Sequence, residues 1–306
     1  MSGDETTAAA AVSCCASCGI AEVDDIRLTE CDNCKSVKYC SDDCQEYHRS
    51  QHEAKCKERA AELRDELLFR QPECSYHGDC PICCLPLPIN PNSKNRLNSC
   101  CSKLICNGCS HADNTHQWKE KRQQPTCPFC RHPVPKTMEE ADKNLMKRIE
   151  ANDPAALCKL GEMRFEEGDY DAALKYFTKS AELGDAQAHY ELSIMYMEGE
   201  GVEKDEKKRV YHLEEASIQG HPDARHNLGV YEESNGRIER AVKHWIIAAN
   251  LGLDVAMEEL KECYKHGDIT KEDFAAALRA HHAAINETKS PQREAAARAD
   301  AAGGVL

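Results

Sequence analysis

The chain has 306 residues, with 39 Lys+Arg against 53 Asp+Glu for a formal net charge of −14, and it holds 20 cysteines. Such a charge repels phosphate backbones and anionic lipid surfaces, which disfavours nucleic acid and membranes as partners. No stretch reaches the ~18 apolar residues of a spanning helix, and residues 1–13 lack the basic and apolar regions of a secretory signal, so a cytoplasmic and/or nuclear, non-secreted protein is expected.

Eighteen of the cysteines lie between Cys14 and Cys130, and only Cys158 and Cys263 follow. Residues 1–150 carry 20 Lys+Arg against 23 Asp+Glu, and residues 151–306 carry 19 against 30. A cysteine-dense front and an acidic back therefore need different sources of stability. In a reducing compartment, paired cysteines read as metal ligands rather than disulfides. Residues 1–13 are expected to be a disordered N-terminus.

Residues 15–56 place Cys15 with Cys18, Cys31 with Cys34, Cys40 with Cys44, and His52 with Cys56. Gaps of two or three residues let both members of a pair return to one metal, and four S/N donors make the tetrahedral shell that zinc prefers. Eight donors imply two zinc ions. The large apolar residues here, Ile20, Val23, Ile26, Leu28, Val37, Tyr39 and Tyr47, are too few to order the segment by burial alone.

This order of ligands, with "YCSDDCQ" at 39–45, resembles the MYND zinc finger. The resemblance implies interleaved pairs, with Cys15, Cys18, Cys40 and Cys44 on one zinc and Cys31, Cys34, His52 and Cys56 on the other. Cys14 would then be a spare thiol. MYND fingers bind short proline-containing peptides through a surface with a tryptophan three residues before the ligand histidine. Arg49 stands there in this chain, which departs from the usual peptide specificity. Residues 57–73 read as a helical linker, because "KERAAELRDELLFR" at 57–70 puts Ala60, Leu63, Leu67 and Leu68 near one face.

A second cluster occupies 74–135: "CPIC" at 80–83, "CCSKLICNGC" at 100–109 and "CPFCR" at 127–131. It resembles an all-cysteine RING domain, a small irregular zinc-stabilised module. A cross-brace would give Cys80, Cys83, Cys106 and Cys109 to a third zinc, and Cys100, Cys101, Cys127 and Cys130 to a fourth, for about four zinc ions per chain. Cys100 and Cys101 are adjacent, and adjacent side chains diverge in extended backbone, so one of them could be a bystander replaced by His111, His116 or the "CSYH" at 74–77. The RING resemblance further implies contact with a ubiquitin-conjugating enzyme through Ile82, Trp118 and Pro128, with Arg131 bridging to ubiquitin. The competing reading makes Ile82 and Trp118 a small core, Pro128 a turn former and Arg131 a solvated cation. Such ligases position rather than react, so no catalytic nucleophile is expected.

Residues 136–152 have Met138, Leu145, Met146 and Ile149 near helical spacing, predicting a capping helix. Beyond them the chain repeats. Ala156, Ala188, Ala224 and Ala256 recur at intervals of 32, 36 and 32, and Leu160, Leu192, Leu228 and Leu260 keep the same phase. Gly184, Gly220 and Gly252 read as helix-ending glycines, Pro154 and Pro222 as first helical residues, Asp185 as a cap, and Thr270 with Asp273 as a capping box stapled by Ile269 and Phe274. Four units of two helices follow, at 153–184, 185–220, 221–252 and 253–284.

The "LG" and "AA.LG" signatures resemble the Sel1 repeat, a relative of the tetratricopeptide repeat. This implies an all-α solenoid whose concave face holds a protein client. Ala156, Gly161, Ala181, Ala188, Ala224, Gly229 and Ala249 are expected to let helices approach, with Leu160, Tyr176, Leu192, Tyr211, Leu228 and Trp245 filling between them. The acidic charge favours basic or mixed-charge partners. Residues 285–306, polar and alanine-rich, are expected to be a disordered tail. The fold class expected is thus two small zinc-stabilised irregular or α+β modules followed by an all-α Sel1-like solenoid. The function expected is an intracellular interaction scaffold or adaptor, with a ubiquitin ligase as the alternative.

Overall fold

A computed structural model describes residues 13–89 and 95–302, so almost all of the expected disordered N-terminus lies outside the described residues. The chain divides into two compact units, residues 1–70 and 71–306.

In the first unit a short antiparallel pair, β1 (Thr29–Glu30) and β2 (Lys38–Tyr39), leads into α1 (Asp42–Leu68). Ser41 caps α1 by accepting from the Cys44 N–H, with Asp42 and Asp43 in the first turn where the helix dipole favours acid. Neither glycine nor proline interrupts 42–68, so the linker helix expected after Cys56 is the finger's own helix carried on without a break. The buried core is mostly sulfur: Cys15, Cys31, Cys34 and Cys56 surround Leu28 and Tyr39. Ile20, Val23 and Tyr47 stay exposed.

The second unit begins with a module built on the hairpin β3 (Arg96–Asn98) and β4 (Lys103–Ile105), followed by α2 (Asn107–Lys119). Its core is Cys80, Leu87, Ile105 and Cys106. Helix α3 (Met138–Glu150) then packs on α4 (Pro154–Glu166), burying Leu145 but leaving Met138 and Met146 exposed. The repeats are the hairpins α4/α5 (Tyr170–Glu182), α6 (Ala186–Glu198)/α7 (Glu206–Ile218), α8 (Pro222–Ser234)/α9 (Ile238–Asn250) and α10 (Asp254–His266)/α11 (Lys271–Glu287). Within each hairpin the two helices pack together, and each of the first three hairpins packs on the next.

The punctuation falls where it is expected. Asp153, Asp185 and Thr270 accept from the N–H three residues on, Pro154 and Pro222 open their helices, and Gly184, Gly220 and Gly252 take φ of 85°, 86° and 94°. Ile269 and Phe274 join one apolar cluster with Trp245 and Leu260.

Within the repeats, Gly161 and Gly229 leave room for a large side chain of the following helix. A Cβ at Gly161 would sit 2.6 Å from the Phe177 ring, and one at Gly229 would sit 2.3 Å from Trp245 Nε1. The aromatic in the second helix therefore packs directly against the glycine of the first. Two of the expected core residues are corrected by this geometry: Tyr176 is only half-buried and Tyr211 is 53% exposed, while Phe177, Leu213 and Trp245 are buried. Phe177, Leu213 and Trp245 keep the repeat's spacing, and residues one or two positions earlier rotate off the inward face.

The expected disordered tail is also corrected. Residues 291–301 form α12 (Pro291–Ala301), capped by Ser290, which buries Ala296 and packs along α2 of the second module. Polar, alanine-rich composition is compatible with either outcome, and the α2 face decides it. Residues 303–306 lie outside the described residues.

Candidate metal centres

Four donor clusters form, each with all ligand atoms within 4.8 Å of one another: Cys15, Cys18, Cys40 and Cys44; Cys31, Cys34, His52 and Cys56; Cys80, Cys83, Cys106 and Cys109; and Cys100, Cys101, Cys127 and Cys130. The local reason is one backbone turn used repeatedly. In the pairs beginning at Cys15, Cys31, Cys80 and Cys127, the first cysteine's N–H donates across the turn, to Ile20, Val37, Leu85 and His132 respectively. Its carbonyl accepts from the residue after the second cysteine, Gly19, Lys35, Cys84 or Arg131. That residue has φ of 75°, 54°, 53° and 62° in turn. Only Gly19 takes this left-handed conformation without steric cost; the other three are held there by the turn.

Helices α1 and α2 supply Cys44, His52, Cys56 and Cys109, with Cys106 at the start of α2, while Cys40, Cys100 and Cys101 lie in bends and turns. On α1, Cys44 serves the first cluster, while His52 and Cys56, one turn apart, serve the second. Cys106 doubles as the N-cap of α2, its sulfur accepting from the Cys109 N–H at 3.4 Å.

These donors fit zinc. Four thiolates about 2.3 Å from zinc stand about 3.8 Å from one another in a tetrahedron. Sulfur separations are 3.5 Å for Cys18–Cys40, 3.6 Å for Cys40–Cys44, 3.7 Å for Cys31–Cys56, 3.9 Å for Cys83–Cys106, 4.0 Å for Cys101–Cys127 and 3.4 Å for Cys100–Cys130. His52 presents Nε2 to Cys34 at 3.2 Å. Each cluster can hold one zinc ion, which agrees with about four per chain.

The electrostatics point to the same demand for a cation. Burial opposes ionisation of Cys15, but the N–H groups of Cys18, Cys40 and Ser17 outweigh it and bring the thiol down to about 6. Burial likewise opposes the Cys34 thiolate, which the Ser36 hydroxyl and N–H bring down to about 6. Their neighbours move the other way: hydrogen bonding to Cys18 and Cys44 lifts Cys40 to about 12, and burial with the Cys31 and Cys34 thiols lifts Cys56 to about 11. One thiolate in each set suppresses the next, and a divalent cation is what lets all of them ionise.

The hairpin explains how adjacent cysteines reach one centre. Residues 99–102 are a turn rather than a strand, with the Cys101 and Ser102 N–H groups both donating to Asn98 O and Ser102 at φ 52°. Cys100 and Cys101 therefore both fall in the fourth cluster. Of the alternatives, His111 and Cys74 lie outside all four clusters, and His116 and His77 are otherwise engaged. His116 pairs with Glu120 at 3.2 Å. His77 packs at a tilt against Tyr76, whose ring stacks on His221 and whose hydroxyl donates to Gln187, so segment 74–77 seats the module on the repeats. Cys14 and Cys84 are exposed and lie outside all four clusters.

Gln117 was invisible in the sequence. It is 4% exposed, accepts from the Thr126 N–H at 2.7 Å and donates to Thr126 O at 3.0 Å, clamping α2 to the residue before Cys127. A neighbour on a helix is rotated by about 100°, so Gln117 turning inward turns Trp118 outward. Trp118 is 74% exposed and Ile82 is 41% exposed, so neither is a core residue; Pro128 is half-buried and Arg131 exposed. Arg49 is exposed and paired with Glu46 at 2.7 Å, and Gln45 is half-buried.

Comparison with known proteins agrees with the geometry. Residues 15–56 match the MYND finger family, and residues 154–185, 186–221 and 222–253 match the Sel1 repeat. The fourth hairpin lies beyond the matched range. A Helicobacter pylori (strain J99) protein named "Putative beta-lactamase HcpC" is 39% identical over 56 residues, 18% of this chain and 19% of that protein. The chain thus covers about a fifth of that relative's length.

Among solved structures, a Sel1 repeat protein from Oxalobacter formigenes aligns at 23% identity with a TM-score of 0.40, covering 51% of this chain and 68% of that one. A protective antigen of uropathogenic Escherichia coli with an SLR fold aligns at 25% identity with a TM-score of 0.39, covering 55% and 37%. Residues 15–56 are a MYND finger and residues 154–253 are three successive Sel1 repeats, with a second cysteine-rich, metal-ready module between them.

Proposed function

We propose that this zinc-binding protein-interaction scaffold works as an intracellular adaptor, holding a client on its repeats while its zinc modules meet other proteins. The observation that carries this reading is a cleft of about 1100 Å³ where the second zinc module meets the first two repeats. Glu162, Asp185 and Asp79 share its lining with Lys159, Arg96 and Lys103, a mixed-charge surface that favours an extended segment carrying both signs. The acidic excess of the repeat half tilts selection toward basic segments.

A peptide array probed with the purified, zinc-loaded chain tests the idea. Basic and mixed-charge peptides should bind, binding should weaken as salt rises, and Glu162→Lys with Asp79→Lys should invert the preference. Retention of acidic peptides only, or of none, refutes it.

A second reading, that residues 74–135 form a RING-type ubiquitin ligase module, is supported by the exposure of Ile82 and Trp118 on a module that can spare little apolar surface. A core-filling role does not account for either. Ubiquitin discharge from a broad panel of charged conjugating enzymes tests this reading. Discharge should fall roughly tenfold or more in Trp118→Ala and Arg131→Ala at unchanged zinc content. No discharge with any enzyme of the panel removes the reading.

A further inference from the structure

Helix α12 brings one cation to the third donor cluster from the far end of the chain. Its first turn lies so close over α2 that a Cβ on Gly108 would meet Arg293 N at 2.6 Å and Arg293 Cα at 2.9 Å. From there the half-buried Arg293 side chain reaches into the knuckle. Nη1 donates to Pro86 O at 2.7 Å and Thr288 O at 2.6 Å, and Nη2 donates to Leu85 O at 3.2 Å and to Cys83 Sγ at 3.5 Å. At the other end of α12, Asn107 donates to Asp300 at 3.0 Å. Four thiolates around a divalent ion carry a net charge of −2, and a guanidinium fork fixed by carbonyls beside one sulfur is placed to offset it.

We propose that Arg293 is an outer-sphere partner of the third zinc site, so that retention of metal by Cys80, Cys83, Cys106 and Cys109 and docking of α12 support one another. The inference rests on the reading that this cluster holds zinc. Arg293 touches a ligand and not the ion, so it is a positioning residue. By thermodynamic reciprocity, whatever α12 adds to metal binding, bound metal adds to α12 docking. Helix α12 is then a latch that reports the state of a module some 200 positions earlier in sequence.

The test uses the full zinc-loaded chain and a chromogenic chelator in excess. Thiols freed over time are trapped with N-ethylmaleimide and located by peptide mass spectrometry. In Arg293→Met, labelling of the third cluster should accelerate roughly tenfold or more, in line with the usual effect of outer-shell partners. Labelling of the other three clusters should keep its rate. Arg293→Lys, which keeps the charge and loses the fork, should fall between Arg293→Met and the unmodified chain. Hydrogen exchange should show 288–302 protected in the loaded protein and released once the third cluster is stripped.

Third-cluster thiols that label at once in the unmodified chain, without chelator, would defeat the zinc reading itself. A protected third cluster whose release rate does not change in Arg293→Met, or an α12 that stays protected after stripping, would defeat the role of Arg293 alone.

Discussion

Replacing Gly229 by alanine gives an outcome whose sign is diagnostic. In an open helix interior this change stabilises by about 0.5–1 kcal/mol, because glycine loses more backbone freedom on folding. Here the new methyl would fall 2.3 Å from Trp245 Nε1, 2.7 Å from Cδ1 and 2.8 Å from Cε2. The indole is 1% exposed and packed in the cluster of α9, α10 and α11, so it cannot swing into solvent. Overpacking of a close-packed site costs about 1–3 kcal/mol, and the shortest of these contacts argues for the upper end. Subtracting the propensity gain leaves a net destabilisation of about 2 kcal/mol, a fall in melting temperature of roughly 4–8 °C for a unit of this size.

Thermal unfolding of the zinc-loaded chain, followed by far-ultraviolet circular dichroism, reads the shift. Trp245→Leu removes the clash and should itself destabilise, by about 2–4 kcal/mol through the cavity it leaves. In that background Gly229→Ala should be neutral or stabilising, giving a coupling of at least about 1 kcal/mol between the two sites. A raised melting temperature for Gly229→Ala alone, or additive behaviour in the double variant, refutes the claim that this glycine is kept for ring contact.

Three further outcomes are expected. Chelation of the intact protein should abolish amide protection in residues 15–56 and in the β3–β4 hairpin while helices α4 to α11 stay protected; protection of 15–56 in metal-free protein would contradict metal-dependent folding. Cys100→Ser and Cys101→Ser should each lower bound zinc by about one ion per chain and His116→Ala should not; a full count in either cysteine variant removes that residue from the fourth site.

The last concerns acidity. Burial, opposed by the Gln187 amide at 2.6 Å and aided by the Glu162 charge, lifts the Glu191 carboxyl to about 7. A folded pKa above the unfolded one means that stability is fully present below the unfolded value near 4.5 and is lost as pH rises through 7. Glu191→Gln should therefore be more stable than the unmodified chain at pH 8, by about 1–3 kcal/mol, with the difference closing by about pH 4.5 in urea titrations. An equal difference at both pH values counts against the shift.

Spacing alone carried most of the architecture. Cysteine pairs two or three residues apart and repeats of constant phase are local constraints, written in consecutive residues, so the metal-binding pairs, the caps at Asp185 and Thr270 and the helix-ending Gly184, Gly220 and Gly252 could be placed from sequence, whereas the caps at Asp169 and Asp205 were not. The adjacent Cys100 and Cys101 were ambiguous because extended backbone and a tight turn give opposite answers, and only the closure of β3 on β4 selects the turn. Which aromatic faces inward, Phe177 rather than Tyr176, depends on a rotation of about 100° about a helix axis, and neighbouring helices fix that rotation.

Tertiary structure alone decided the contacts between distant segments. Gln117 and Arg293 bear no local signal: one is a surface-type residue that clamps a knuckle, and the other belongs to a polar tail that becomes α12 because α2 offers it a face. Sequence pattern reports periodicity within a segment. It does not report which surface a segment will meet, and the cleft, the seat of residues 74–77 on the repeats and the guanidinium beside Cys83 are each made by such a meeting.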